Sequence, residues 1–117
     1  MKPPKTILSL LIAFIISTIS FNSMAKPLHE ETSTFKVFGN CGMCKSRIET
    51  ALKVNGISAA NWDVKTKMLS VTYNPHVISL DDIHKKIAAV GHDTEKIKAE
   101  DKTYTNLMGC CQYERKK

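Results

Sequence analysis

Two cysteines three residues apart, Cys41 and Cys44, stand where an apolar run, Phe35-Lys36-Val37-Phe38, meets the helix-like Lys45-Ser46-Arg47-Ile48-Glu49-Thr50-Ala51-Leu52. A chain patterned in this way turns from strand to helix within Cys41-Gly42-Met43-Cys44, and both sulfurs become a chelating pair on that loop. Soft ions such as Cu(I) and Hg(II) prefer thiolates and accept as few as two, whereas a closed structural zinc site takes four ligands. The spacing therefore points to a metal that is carried rather than one that holds the fold together.

The first 25 residues read as an address. Lys2 and Lys5 give a positive start, Ile7 to Ile19 is apolar apart from Ser and Thr, and Ser23-Met24-Ala25 places small residues where a signal peptidase reads. The apolar run is shorter than the ~20 residues that span a bilayer, so residues 1–25 are expected to be a cleaved signal peptide. The mature protein would then be exported, to the periplasm, with no membrane insertion after cleavage. Residues 26–33 follow as a flexible N-terminal segment, 34–99 as a single small domain, and 100–117 as a C-terminal tail holding Cys110 and Cys111.

The charge of +6 is spread along the chain among acidic residues. No basic stripe is interleaved with aromatic residues, which argues against a nucleic-acid partner. Glu114-Arg115-Lys116-Lys117 reads as a solvated tail.

The hydrophobic pattern gives strand, helix, strand, strand, helix and a weak last strand. Phe35 and Val37 share one face of Thr34 to Phe38. Cys44, Ile48, Ala51 and Leu52 recur at helical spacing, and Asn55-Gly56 ends the helix. Ala60, Trp62 and Val64 alternate along Ile57 to Val64, and Leu69, Val71 and Tyr73 alternate after a Lys65-Thr66-Lys67 turn, so the two runs form a hairpin. Ser79 with Asp82 opens a second helix with Leu80, Ile83, Ile87 and Ala88 inward. Gly91 closes it, and Thr94 to Ala99 is the edge strand. The order βαββαβ predicts an α+β, ferredoxin-like sandwich: a four-stranded antiparallel sheet with two helices on one face.

With Cys41-x-x-Cys44 after the first strand, Gly56-Ile57 entering the second, and Ala88-Ala89-Val90-Gly91-His92-Asp93 closing the second helix, residues 34–99 resemble the heavy-metal-associated domain. That module occurs in copper chaperones, metal-transporting P-type ATPases and the periplasmic mercury-binding protein. The resemblance implies a carrier, not an enzyme, that docks transiently with a metal transporter or another metal-binding protein, or shares one metal within a homodimer. Two departures stand out. Gly39 replaces the buried methionine that underpins the family's loop, with Met43 between the cysteines instead, and His92 follows Gly91 where an aromatic residue is common. Because that segment lies near the CxxC loop in the family fold, His92 is a candidate third ligand or hydrogen-bond donor to a thiolate.

Metal binding needs thiolates. Cys44, in the first helical turn beside Lys45 and Arg47, is expected to have the lowered pKa, and Cys41, on the loop, to be the exchanging ligand. Cys110 and Cys111 admit several uses: extra ligands for the same metal, a disulfide, or redox chemistry. Met68 and Met108 could offer thioether sulfur to Cu(I) but read first as packing residues, Trp62 as core or hairpin face, and His29, His76 and His84 as solvated. The favoured cargo is Cu(I), then Hg(II); Zn(II) or Cd(II) gains ground if the tail completes four sulfurs. The competing classes are an exported thiol-disulfide oxidoreductase and a small disulfide-stapled interaction protein.

Overall fold

Alternation of inward apolar and outward polar residues builds the sheet. In the computed structural model, which describes residues 29–115, β1 (Glu31–Lys36), β2 (Ile57–Trp62) and β3 (Met68–Tyr73) form an antiparallel sheet in the order β1-β3-β2. Phe35 and Trp62 both register with Leu69, so three large side chains lie in one row across the inner face. The hairpin turn is fixed by Asp63, whose Oδ1 accepts the N–H groups of Lys65 and Thr66, and by Lys67 at φ 65°. The expected signal peptide, 1–25, and the start of the N-terminal segment lie outside the described residues.

The strand boundaries differ from the sequence reading, and β1 stops at Lys36 rather than Phe38. β1 begins at Glu31, so residues 31–33 of the segment read as flexible are paired strand. Polar Glu31, Thr32 and Ser33 carry no apolar alternation; their order comes from β3, through backbone pairing and a 2.9 Å contact between the Thr32 and Thr72 hydroxyls. The second strand stops at Trp62 rather than Val64.

The helices α1 (Gly42–Ala51) and α2 (Leu80–Ala89) pack against the inner face. Ile48 and the C-cap Leu52 of the first, Ile83 and Ile87 from the second, Phe35, Trp62, Leu69 and Val71 from the sheet, and Val37 just past β1 make one core, each at most 2% exposed. Burial on that scale stabilises by ~1.5–3 kcal/mol per side chain. As the sequence predicts, Ser79 caps α2 by accepting the Asp82 N–H at 3.1 Å. Gly91, at φ 103°, ends that helix in a Schellman motif: its N–H donates to Ala88 O and that of His92 to Ile87 O.

His84 corrects the expectation of a solvated residue. It is fully buried on the face shared with Ile83, Ile87 and Ala88, stacked on Phe35 with ring centroids 4.0 Å apart, and its Nδ1 lies 2.6 Å from Thr94 Oγ1. The flanking Lys85 and Lys86 suggested an outward position; the wider apolar stripe of the helix includes position 84.

The fourth strand does not form. A single antiparallel bridge joins Val37 to Thr94, after which the Thr94 hydroxyl accepts the N–H groups of Lys96 and Ile97 and curls the chain into a turn. Asp93 Oδ1 then takes the Ala99 N–H at 2.7 Å, closing residues 94–99 into a compact loop. Side chain to backbone bonds have displaced the ladder. The remaining three strands and their order are those of the ferredoxin-like arrangement with its edge strand reduced to one bridge.

The tail is ordered as well. A short helix, α3 (Asp101–Thr105), leads into a 3₁₀ turn at Gly109–Cys111. Tyr113 then plugs back into the domain, its hydroxyl accepting the Asp93 N–H and donating to Gly91 O, each at 2.8 Å. Arg115 grips Asp93 with two parallel bonds of 3.0 and 2.9 Å and reaches Asp101 at 2.7 Å. At 13% exposure, Arg115 is thus no part of a solvated run; it is the anchor of the tail.

Candidate metal centre

The CxxC loop rests on Trp62. A Cβ at Gly39 would lie 3.0 Å from the indole and 3.1 Å from the Cys44 Cβ, so the missing side chain lets the loop sit a few tenths of an ångström closer to the ring than a larger residue would. The indole Nε1 donates to Val37 O at 3.0 Å, tying ring, strand and loop together. Trp62 therefore fills the place under the loop that the missing methionine leaves. From the other side Lys45 Nζ donates to Asn61 Oδ1 and Trp62 O and pairs with Glu49, whose Oε2 accepts the Trp62 N–H.

Cys41 is the N-cap residue of α1, with extended backbone, and Cys44 lies in its first turn. Their sulfurs are 3.6 Å apart. The tail brings Cys111 Sγ to 3.8 Å and Cys110 Sγ to 3.4 Å from Cys41 Sγ. Cys41, Cys44 and Cys111 form a trio with all ligand atoms within 4.8 Å, in the geometry of a metal site. Cys110 stands outside the trio, exposed, with Met43 Sδ at 3.6 Å. All four cysteines are free thiols.

The thiols are electrostatically unlike, and in the reverse sense from the sequence reading. Cys41 is the acidic one, held down to about 6 by the N–H of Cys44, with further help from the Cys110 and Cys44 side chains and the Met43 N–H. Cys44 is pushed up to about 11, chiefly by burial, although the Asn40 N–H, 3.3 Å from its sulfur, opposes the rise. The open amides at the helix start point at the N-cap sulfur, while the sulfur one turn in lies in the apolar core. Burial also raises Cys111, against which the Cys44 and Arg47 side chains act. The Arg47 Nη1 is itself buried and has no hydrogen-bond acceptor.

His92 does not join the thiol trio. It is fully buried, its Nδ1 lies 2.8 Å from Phe38 O, and its ring stacks on Tyr113 at 5.5 Å. A carbonyl can only accept, so Nδ1 carries a proton, and burial lowers the pKa of the ring. It braces the strand that leads into the loop against the tail. Met68 and Met108 are likewise outside the trio, Met108 exposed rather than packed, and His29 and His76 are exposed, as expected. Asp93, Tyr113 and Arg115, which deliver the tail sulfurs, are not marked out by the sequence as a set, because no local pattern links them and only Asp93 falls within the string that closes the second helix.

The family model for the heavy-metal-associated domain matches residues 34–93. The chain belongs to the heavy-metal-associated domain family. A copper-exporting P-type ATPase of Staphylococcus saprophyticus is 34% identical over 67 residues, 56% of this chain, and a zinc-transporting ATPase of Synechocystis is 36% identical over 81 residues, 68% of it. The chain spans only 8% and 11% of those transporters' lengths. Among solved structures, the heavy-metal-associated fold here superposes on a CopZ metallochaperone with a TM-score of 0.53 and 27% identity, covering 55% of this chain and 98% of that one. A heavy-metal-associated domain with a CxxC-type thiol cluster is a heavy-metal-binding module.

Proposed function

We propose that the protein binds one soft metal ion as cargo through Cys41 and Cys44, with Cu(I) the preferred ion, and passes it to a metal transporter or another metal-binding protein. The observation that carries this reading is the thiol trio at the helix start, in a loop held flat by Gly39 and Trp62. Thiolates select soft ions, and the named relatives, a copper exporter and a metallochaperone, support a role in copper traffic. The zinc-transporting relative keeps Zn(II) as the competitor. In this reading the thiols serve as ligands for an ion, and the protein acts as a carrier. Export to the periplasm, after cleavage behind Ala25, is part of the same proposal.

The test is the uptake of Cu(I), Hg(II) and Zn(II) by anaerobic, fully reduced mature protein, alongside a thiol count. One tightly held Cu(I) per chain, lost in the Cys41→Ser/Cys44→Ser double variant, supports the carrier. No uptake by four reduced thiols would sink it, and thiol-disulfide exchange in the same preparation would move the protein to the oxidoreductase class.

A further inference from the structure

The two tail cysteines are not equivalent. Cys111 is fully buried beside Cys41 and Cys44, whereas Cys110 is exposed on the rim. We propose that Cys111 is a third thiolate ligand for the metal held by Cys41 and Cys44, delivered by a C-terminal clasp that must open before the metal can leave. The proposal rests on the carrier reading and deepens it.

Sulfur spacing supports it. With metal–sulfur bonds of about 2.3 Å, three thiolates in a plane stand about 4.0 Å apart, while two in line stand about 4.6 Å apart. Cys41 Sγ is 3.6 Å from Cys44 Sγ and 3.8 Å from Cys111 Sγ, too close for the linear arrangement and in the range of sulfurs that share one ion with at least a third ligand, the tetrahedral spacing being about 3.8 Å. Three thiolates around a Cu(I) ion carry net negative charge, and Arg47, with a buried Nη1 that has no acceptor, is the cation next to Cys111.

The clasp is held at points remote from the sulfurs. Leu107 packs over Gly91, Tyr113 bridges Asp93 and Gly91, and Arg115 forks onto Asp93. Any proton still held by one of the three sulfurs leaves to solvent as its sulfur–metal bond forms. In hand-over, an acceptor's thiolate bonds to the metal as the Cys111 bond breaks, the freed Cys111 thiolate takes a proton from solvent, and the metal keeps its oxidation state. Opening the clasp exposes the trio to that incoming thiolate.

The experiment is X-ray absorption on the full mature chain loaded with one equivalent of Hg(II) or Cu(I), counting sulfur neighbours, with the rate of metal loss to a small dithiol chelator as second readout. Three sulfurs in the wild type and in Cys110→Ser, and two in Cys111→Ser, support the clasp. Cys111→Ala, apolar and close in size, keeps the test open should the serine variant unfold. Arg115→Met should keep the sulfur count and release metal at least ~10-fold faster, as expected when one partner of a buried charge pair is removed. Two sulfurs in the wild type, or loss of a sulfur in Cys110→Ser but not in the Cys111 variants, would overturn the clasp and leave the carrier reading standing. No metal uptake by the reduced wild type would instead overturn the carrier reading.

Discussion

A thiol at a helix N-cap and a thiol one turn further in occupy opposite environments, and this chain uses both. Cys41 meets amide N–H groups and is lowered to about 6; Cys44 meets the core and is raised to about 11. A lowered thiol is a thiolate above its pKa, so in metal-free protein iodoacetamide should modify Cys41 first, with half-maximal rate near pH 6. Peptide mapping across pH 5 to 9 checks this, and preferential modification of Cys44 would contradict it. At Gly39 a methyl group would press on the fully buried indole of Trp62 and on the Cys44 Cβ. Gly39→Ala should therefore cost ~1–3 kcal/mol by denaturant unfolding. The chelating pair itself was legible from its position between strand and helix. Its acid-base order was not, because local charge from Lys45 and Arg47 argued for Cys44 and only burial, a property of the packed chain, reverses the sign.

At the scale of elements, the junction after α2 does most to connect fold and site. Gly91 ends the helix at φ 103°, gives its carbonyl to the Tyr113 hydroxyl, and leaves room for Leu107, whose Cδ2 lies 2.9 Å from where a Cβ would stand. Gly91→Ala combines left-handed backbone with that clash and should destabilise by ~1–3 kcal/mol. Its distinguishing mark is early loss of the tail: Cys111 should become accessible to a bulky thiol reagent at denaturant concentrations where Trp62 fluorescence is still native. The strands and helices followed from period-2 and period-3.6 patterns, and the Ser79 cap from its spacing to Asp82. The missing edge strand did not, since Thr94 to Ala99 has strand-like composition and is turned aside by the Thr94 hydroxyl and the Asp93 carboxylate.

Across the whole molecule, two buried histidines and the Asp93–Arg115 pair contribute to the response to acid. His84 and His92 have pKa values lowered first by burial, so below pH 6.5 the unfolded chain takes up protons that the folded chain refuses. Stability is then complete above that pH and falls as the pH drops, by up to ~1.4 kcal/mol per pH unit for each histidine. Asp93 is held low by Arg115 and the Ala99 N–H, against the opposing effect of burial, and its contribution disappears as the pH falls below 3.8 towards its folded value. Denaturant unfolding of metal-free protein at pH 7.5, 6.0 and 5.0 should show a monotonic decline, and a His84→Gln variant should flatten it. The sequence by itself determined the first five elements, in the order βαββα, and the CxxC pair, because periodicity and spacing are local properties that survive without a partner. Only the tertiary structure decided that Cys111 joins Cys41 and Cys44, since their 70-residue separation along the chain is closed by Asp93, Tyr113 and Arg115, whose contacts exist only once the core has formed.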